Sequence, residues 1–407
     1  MNIDIDRLKK DIEELGQIGR DPNRGISRPS FSKADLDARE WLKKKIQSAG
    51  LIYGQDGAGN IFGRIDAPPG KTVMTGSHID TVINGGMFDG SAGVLAALEC
   101  LRRIKEEGIK LKKPVELASF TDEEGNLVGD FLGSRAFVGS LDRKTLEEGQ
   151  TQFGPPLIEI LKGTEFSIDS VMEAHAQRPE VDTFLELHLE QGPVLETEEK
   201  PVGIVDKIAG KNYLLCCFLG SASHSGTTPF ELRKDAFLGL ADFALKATQY
   251  VATHHYGSMV TVGKVAVHPG AFSIVPGRVD FTLDFRSTSK ETLAEMERFL
   301  LSLARDTAST RGLEFQSKIV DKTDPVRIPE HIVNIMKEVC STLEYPTITL
   351  PSGAGHDAQI LASIADIGMI FIPCEDGISH SPLEKIKWDD LEKGTILLLH
   401  TLIKLAT

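Results

Sequence analysis

Four strand-like apolar runs in this chain each lead into a loop carrying histidine or paired carboxylates, and this pattern constrains the fold more than any other feature. Thr72-Val73-Met74 leads into Gly76-Ser77-His78-Ile79-Asp80-Thr81 and then Asn84-Gly85-Gly86-Met87-Phe88-Asp89-Gly90. Val115-Glu116-Leu117-Ala118-Ser119-Phe120 leads into Thr121-Asp122-Glu123-Glu124-Gly125. In the third run Leu185, Leu187 and Leu189 share one face and Glu186, His188 and Glu190 the other, while Ile370-Phe371-Ile372 precedes a turn that presents His380. Strands alternating with helices predict an α/β sandwich, a mixed and mostly parallel sheet between layers of helices. Open sheets of this kind bind ligands beyond the carboxyl ends of their strands, where these loops lie. Ile3, Ile5, Leu8, Ile12 and Leu15 predict an amphipathic opening helix, and Ser32 with Asp35 caps a second that closes at Gly50.

The residue types in the loops point to metal-assisted hydrolysis. In an extended segment His78 and Asp80 project the same way, so the carboxylate is expected to accept the spare imidazole N–H and fix its tautomer. The glycines let the next loop fold back and bring Asp89 towards His78, with two oxygens able to bridge two cations about 3.5–4 Å apart. Adjacent residues of an extended chain project to opposite sides, so of the acidic pair Glu124 is read as a ligand and Glu123 as the general base. His188 and His380 complete a set of imidazoles and carboxylates that suits zinc, and also manganese, cobalt or nickel.

At 407 residues the chain is long for one core, and 41% hydrophobic residues are ample for two. A net charge of −14 argues against nucleic-acid or anionic-membrane partners. No apolar stretch approaches the roughly 20 residues needed to span a bilayer. The N-terminus lacks the basic flank and apolar core of a signal peptide, so a cytoplasmic location is expected. Five cysteines without Cys-x-x-Cys spacing are read as buried free thiols. After about Lys207 the texture changes to strands at 213–218, 259–262 and 279–285, separated by helices at about 233–250 and 289–309. This predicts an α+β insertion at 209–326 in a discontinuous catalytic domain made of 1–208 and 327–407.

The loops quoted above, with Gly133-Ser134-Arg135-Ala136, Leu187-His188-Leu189-Glu190-Gln191-Gly192-Pro193, His224-Ser225-Gly226-Thr227-Thr228-Pro229, Gly353-Ala354-Gly355-His356-Asp357-Ala358 and Gly377-Ile378-Ser379-His380-Ser381, resemble the hydantoinase/carbamoylase amidases over nearly the whole chain. That group lies within the dinuclear-zinc aminoacylase and carboxypeptidase superfamily. The resemblance implies a zinc-exopeptidase-like fold whose insertion serves as lid and dimerisation domain, in a homodimer. It implies that Asp89 bridges two divalent ions, zinc first among them, with His78 and His188 on one and Glu124 and His380 on the other. Glu123 would be the base and Asp80 the orienting carboxylate. The imidazole at His188 favours the amidase branch over peptidases, which generally place a carboxylate there.

In the insertion, His224 is placed to donate to the oxyanion, in some relatives from a partner subunit. Arg286 is read either as a bidentate partner for a substrate carboxylate or as a salt bridge, and the resemblance raises the first reading. His356 and Gln191 are further candidates for substrate contact. Two departures bear on substrate: Ser273 stands where relatives usually carry asparagine, and Gly125-Asn126-Leu127 follows the glutamates where many carry Arg-Phe. The expected reaction is hydrolysis of a linear C–N amide in a small carboxylate-bearing substrate, an N-carbamoyl-L-amino acid. Allantoate, then a β-ureido acid, an N-acyl amino acid or a dipeptide, are the alternatives, and an inactive metabolite-binding homologue is the non-enzymatic one.

Overall fold

The central strands Thr72–His78 and Val115–Phe120 are buried at every residue, and Thr183 to Leu189 of the strand Val181–Leu189 are buried likewise. Because successive residues of a strand face opposite sides, unbroken burial means that both faces of this sheet are covered. In the computed structural model, which describes residues 1–22, 24–149, 151 and 154–407, helices supply that cover. The chain divides into two units, one of Met1–Asp206, Ile328–Ser352 and His356–Thr407, the other of Lys207–Arg327 with Gly353–Gly355.

At the centre of the first unit Asp366–Ile372, Val181–Leu189, Thr72–His78 and Val115–Phe120 run parallel in that order. Antiparallel strands flank them, Val202–Ile208 beside Asp366–Ile372, and Ile61–Ile65 then Ile52–Gln55 beyond Val115–Phe120. The opening helix Ile5–Leu15 is capped by Asp4 and buries Leu8, Ile12 and Leu15. The next, Lys33–Ser48, is capped by Ser32, whose hydroxyl accepts the Asp35 N–H, and Gly50 leaves it with φ +67°. Helices Ser91–Glu106 and Trp388–Ala406 pack on the strands and on each other. The approach is close, since a Cβ on Gly93 would run into the carbonyl oxygen of Leu187.

The parallel order carries a consequence for the loops. Parallel strands put their carboxyl ends on one edge, so the loops after His78, Phe120, Leu189 and Ile372 are gathered there by topology. The mixed sheet with its parallel centre is as the sequence predicts. Glu186, on the strand face of His188, is fully buried, its carboxylate accepting the Ser77 hydroxyl and the Ala358 N–H. Glu190 lies past the strand, accepting the N–H groups of Val194 and Leu195.

The second unit is a four-stranded antiparallel sheet, ordered Met259–His268, Arg278–Ser287, Gly210–Leu219 and Glu314–Thr323. Helices Ala236–His254 and Lys290–Arg311 pack on it around Phe218, Phe243, Phe281, Phe285 and Leu300. The strand Glu314–Thr323, mostly exposed and rich in charge, has no sequence signal, because it lacks the apolar alternation that marks its neighbours. All five cysteines are buried and free. No helix among the described residues is long and apolar enough to cross a membrane.

Gly93→Ala is expected to lower stability by about 1–3 kcal/mol through overpacking against the strand Val181–Leu189. Denaturant unfolding at unchanged slope is the measurement, and wild-type stability would mean that the helix shifts without cost.

Candidate metal centre

The gathered strand ends bring His78, Asp89, Glu123, Glu124, His188 and His380 together within the first unit. One ligand atom each from His78, Asp89 and His188 lie within 4.8 Å of one another, and so do those of Asp89, Glu124 and His380. Asp89 is common to both groups and divides its oxygens between them. Its Oδ1 lies 3.2 Å from His188 Nε2 and its Oδ2 3.1 Å from His380 Nε2, with Glu124 Oε2 3.4 Å from the same His380 nitrogen. Two donors bound tetrahedrally at 2.0–2.1 Å stand about 3.3 Å apart, so these spacings suit a pair of cations. Glu123 Oε2 lies 3.6 Å from His78 Nε2.

Local backbone explains how the side chains reach these places. Gly90 has φ +61°, and a Cβ there would strike the His78 ring, so the chain returns past the imidazole only through glycine. Asp122, Gln191 and His380 hold φ near +55° without being glycine, a strain that clusters at functional sites. The strand ends at His78, and the chain beyond it is no longer extended as a strand. In consequence the nearest partner of His78 Nδ1 is the backbone carbonyl of Asp80 at 3.1 Å, with its carboxylate at 3.6 Å. The Asp80 carboxylate stays beside the imidazole and also accepts the N–H groups of Glu123 and Glu124.

Electrostatics agree with a site made for positive charge. Burial pushes the Glu124 carboxyl up to about 8, with Asp89 adding to the effect, and burial raises Glu123 well above the carboxylate range, with Glu124 contributing. Oε1 of Glu124 is buried without a hydrogen-bond partner among the described residues. Burial opposes the charge of Asp89, but the His380 hydrogen bond and the His188 and His78 rings hold its carboxyl far below its usual value. Hydrogen bonding to Asp89 raises His380 to about 9, whereas burial lowers His188, favouring the neutral imidazole that binds metals. A donor set of three imidazoles and buried carboxylates fits borderline divalent cations such as zinc.

Several supporting residues carried no sequence signal. Glu384 Oε1 accepts the N–H groups of Phe88 and Asp89 at 2.8 and 3.1 Å, and the Ser379 hydroxyl lies 3.0 Å from its Oε2. It thereby ties the Asp89 loop to the His380 loop, and its position four residues after His380 was the only available hint. Arg28 is fully buried, donating to the carbonyls of Ile79, Leu15 and Ile18 and to Ser91 Oγ. Burial pulls its guanidinium down to about 10.

The remaining candidates divide between the units. Gln191 donates from Nε2 towards both oxygens of Asp89, at 3.2 and 3.1 Å. His356 is buried at the start of the helix Asp357–Leu361, its ring 4.5 Å from that of His188 and its Nε2 3.0 Å from Ser352 Oγ. Within the second unit His224 is exposed and pairs with Ile274, and the N–H of Ser225 reaches the Ser273 carbonyl, so His224 and Ser273 are neighbours. Arg286 is bound by Asp284 at 2.9 Å and by the Tyr213 hydroxyl at 2.9 Å, the salt bridge that the sequence left open.

Glu384→Ala is expected to weaken divalent-metal binding about 10- to 100-fold by freeing the Asp89 loop. Chelator competition on folded protein measures it, and an unchanged affinity would remove Glu384 from the support of the site.

Residues 74–404 match Peptidase family M20/M25/M40. The N-carbamoyl-L-amino-acid amidohydrolase of Pseudomonas sp. (strain NS671) is 37% identical, the alignment covering 99% of each chain. The allantoate amidohydrolase of Bacillus subtilis (strain 168) is 32% identical over 97% of this chain and 96% of its own. The crystal structure of a hydantoinase/carbamoylase family amidase from Burkholderia vietnamiensis superposes with a TM-score of 0.89 at 32% identity, covering 100% of this chain and 98% of that one. The chain belongs to Peptidase family M20/M25/M40 and, within it, to the hydantoinase/carbamoylase amidases, hydrolases of C–N bonds other than peptide bonds.

Proposed function

We propose that this protein hydrolyses the carbamoyl C–N bond of an N-carbamoyl-L-amino acid, giving the amino acid, ammonia and carbon dioxide. The observation that carries the reading is Asp89, whose two oxygens address two separate donor groups. In this reading His78 and His188 hold one divalent ion and Glu124 and His380 the other, with Asp89 between them and zinc as the metal. The chemistry such ions supply when bound is polarisation of the scissile carbonyl and a lowered pKa for water.

The side chains account for the other requirements. Glu123, not needed as a donor, takes the proton of the attacking water at its carboxylate and returns it to the leaving nitrogen. Asp80 holds the backbone of Glu123 and Glu124 in register for that transfer. His224 is assigned to the developing oxyanion and Arg286 to the substrate carboxylate, where Asp284 and Tyr213 hold its fork in a fixed plane. Ser273, Gln191 and His356 are assigned to substrate contact, and the second unit to lid and dimerisation in a cytoplasmic homodimer. The 37% identity to an N-carbamoyl-L-amino-acid amidohydrolase supports the substrate, and the 32% identity to an allantoate amidohydrolase makes allantoate the second reading.

The test is ammonia release from N-carbamoyl-L-amino acids, N-carbamoyl-β-alanine and allantoate by protein loaded separately with zinc, manganese, cobalt or nickel. N-carbamoyl-L-amino acids are expected to give the highest kcat/KM, and preference for allantoate would overturn the substrate assignment while leaving the metal centre. Glu123→Gln is expected to keep its metal content and lose about 10²- to 10⁴-fold in kcat. Full turnover by that variant would remove Glu123 from proton transfer.

A further inference from the structure

The strand Val115–Phe120 leads at its carboxyl end to the acidic pair, and near its amino end it carries a second buried carboxylate, Glu116. Glu116 lines a cleft of about 420 Å³ together with Asp56, Phe62, Phe137, Glu173 and Arg178. Its side chain is 9% exposed, and Oε2 is buried with no hydrogen-bond partner among the described residues. Arg64 Nη1 forms a long ion pair with this oxygen at 3.7 Å, without a hydrogen bond, and the same guanidinium is shared with Asp66 at 2.8 Å and Thr72 Oγ1 at 3.3 Å. A buried carboxylate with so loose a partner is costly, and burial, only partly offset by Arg64, pushes its carboxyl up to about 7.

The walls of the cleft define what would satisfy it. Asp56, Glu116 and Glu173 set three acids against the single guanidinium of Arg178, which disfavours an anion. Phe62 and Phe137 pack with ring centroids 5.7 Å apart and give the cleft an apolar wall. The fold already sets one cation against that wall, since Arg178 lies over the Phe137 ring at 6.0 Å. A neutral polar ligand would offer hydrogen bonds but leave the acidic surround uncompensated. An ammonium or guanidinium offers both, and an apolar stem fits the aromatic wall.

We propose that this cleft is a binding site for a small organic cation, an alkylammonium or alkylguanidinium, with its charged head on Glu116 and its stem against Phe62 and Phe137. The site lies wholly within the first unit and uses none of the residues assigned to metal or substrate.

Calorimetric titration of the metal-loaded protein with n-butylguanidinium, n-butylammonium and n-butanol tests it. Saturable binding of at least one of the two cations is expected, none for the alcohol, and whichever cation binds more tightly identifies the head group. Glu116→Gln, which keeps the volume and removes the charge, is expected to weaken that binding at least tenfold while hydrolytic turnover stays at the wild-type level. Failure of both cations to bind, or equal binding by the variant, overturns the proposal. Independently of any variant, crystals soaked in 3-iodopropylammonium are expected to show the iodine beside Phe62 and Phe137, and iodine found only elsewhere overturns it as well.

Discussion

The two oxygens of one carboxylate organise this molecule. Asp89 meets His188 through Oδ1 and His380 through Oδ2, and several side chains around it hold it in that posture. Glu384 takes its backbone N–H, Gln191 reaches both of its oxygens, and Gly90 lets the chain turn away without displacing the His78 ring. A carboxylate that must face two ways cannot rely on its own rotamer preference, so its position is imposed from outside.

Such an arrangement opposes the ordinary economy of a folded chain. Acids are buried at the strand ends, where desolvation disfavours their charge, and the sheet above them is covered on both faces. The cluster therefore has its low-energy form only with compensating positive charge, and the parallel topology is what brings the acids close enough to need it. The same strand, Val115–Phe120, repeats the condition in miniature with Glu116 near its other end.

What the sequence disclosed was whatever periodicity and chemistry both mark. The apolar runs declared the central strands, and histidines and acids just after them declared the site, because in a parallel sheet those positions converge. Residues that act through a single hydrogen bond left no such trace: Arg28 and Glu384 sit among ordinary neighbours, and their roles exist only once distant loops meet. The Asp80 carbonyl, the nearer partner of His78 Nδ1, has no sequence signal, because the two-residue alternation that sets His78 beside Asp80 says nothing of the backbone once the strand stops. Glu190 read as part of a polar face, yet one residue beyond the strand its carboxylate caps a turn. For Arg286 the ambiguity was real, since an arginine two residues from an aspartate on one strand face has a partner within reach whatever else it binds.

Arg28 gives the amino-terminal segment an unexpected standing. Its guanidinium draws together the end of the opening helix, through Leu15 and Ile18, and the peptide between His78 and Asp80, through Ile79. The backbone around it adds two more ties, Arg28 N–H to Thr81 Oγ1 and Thr81 N–H to the Arg28 carbonyl. Residues that share no motif with the metal centre thus form its rear wall. Trimming or proteolytic nicking near residue 20 would therefore loosen the loop after His78 from behind, although the cut lies outside every motif of the site.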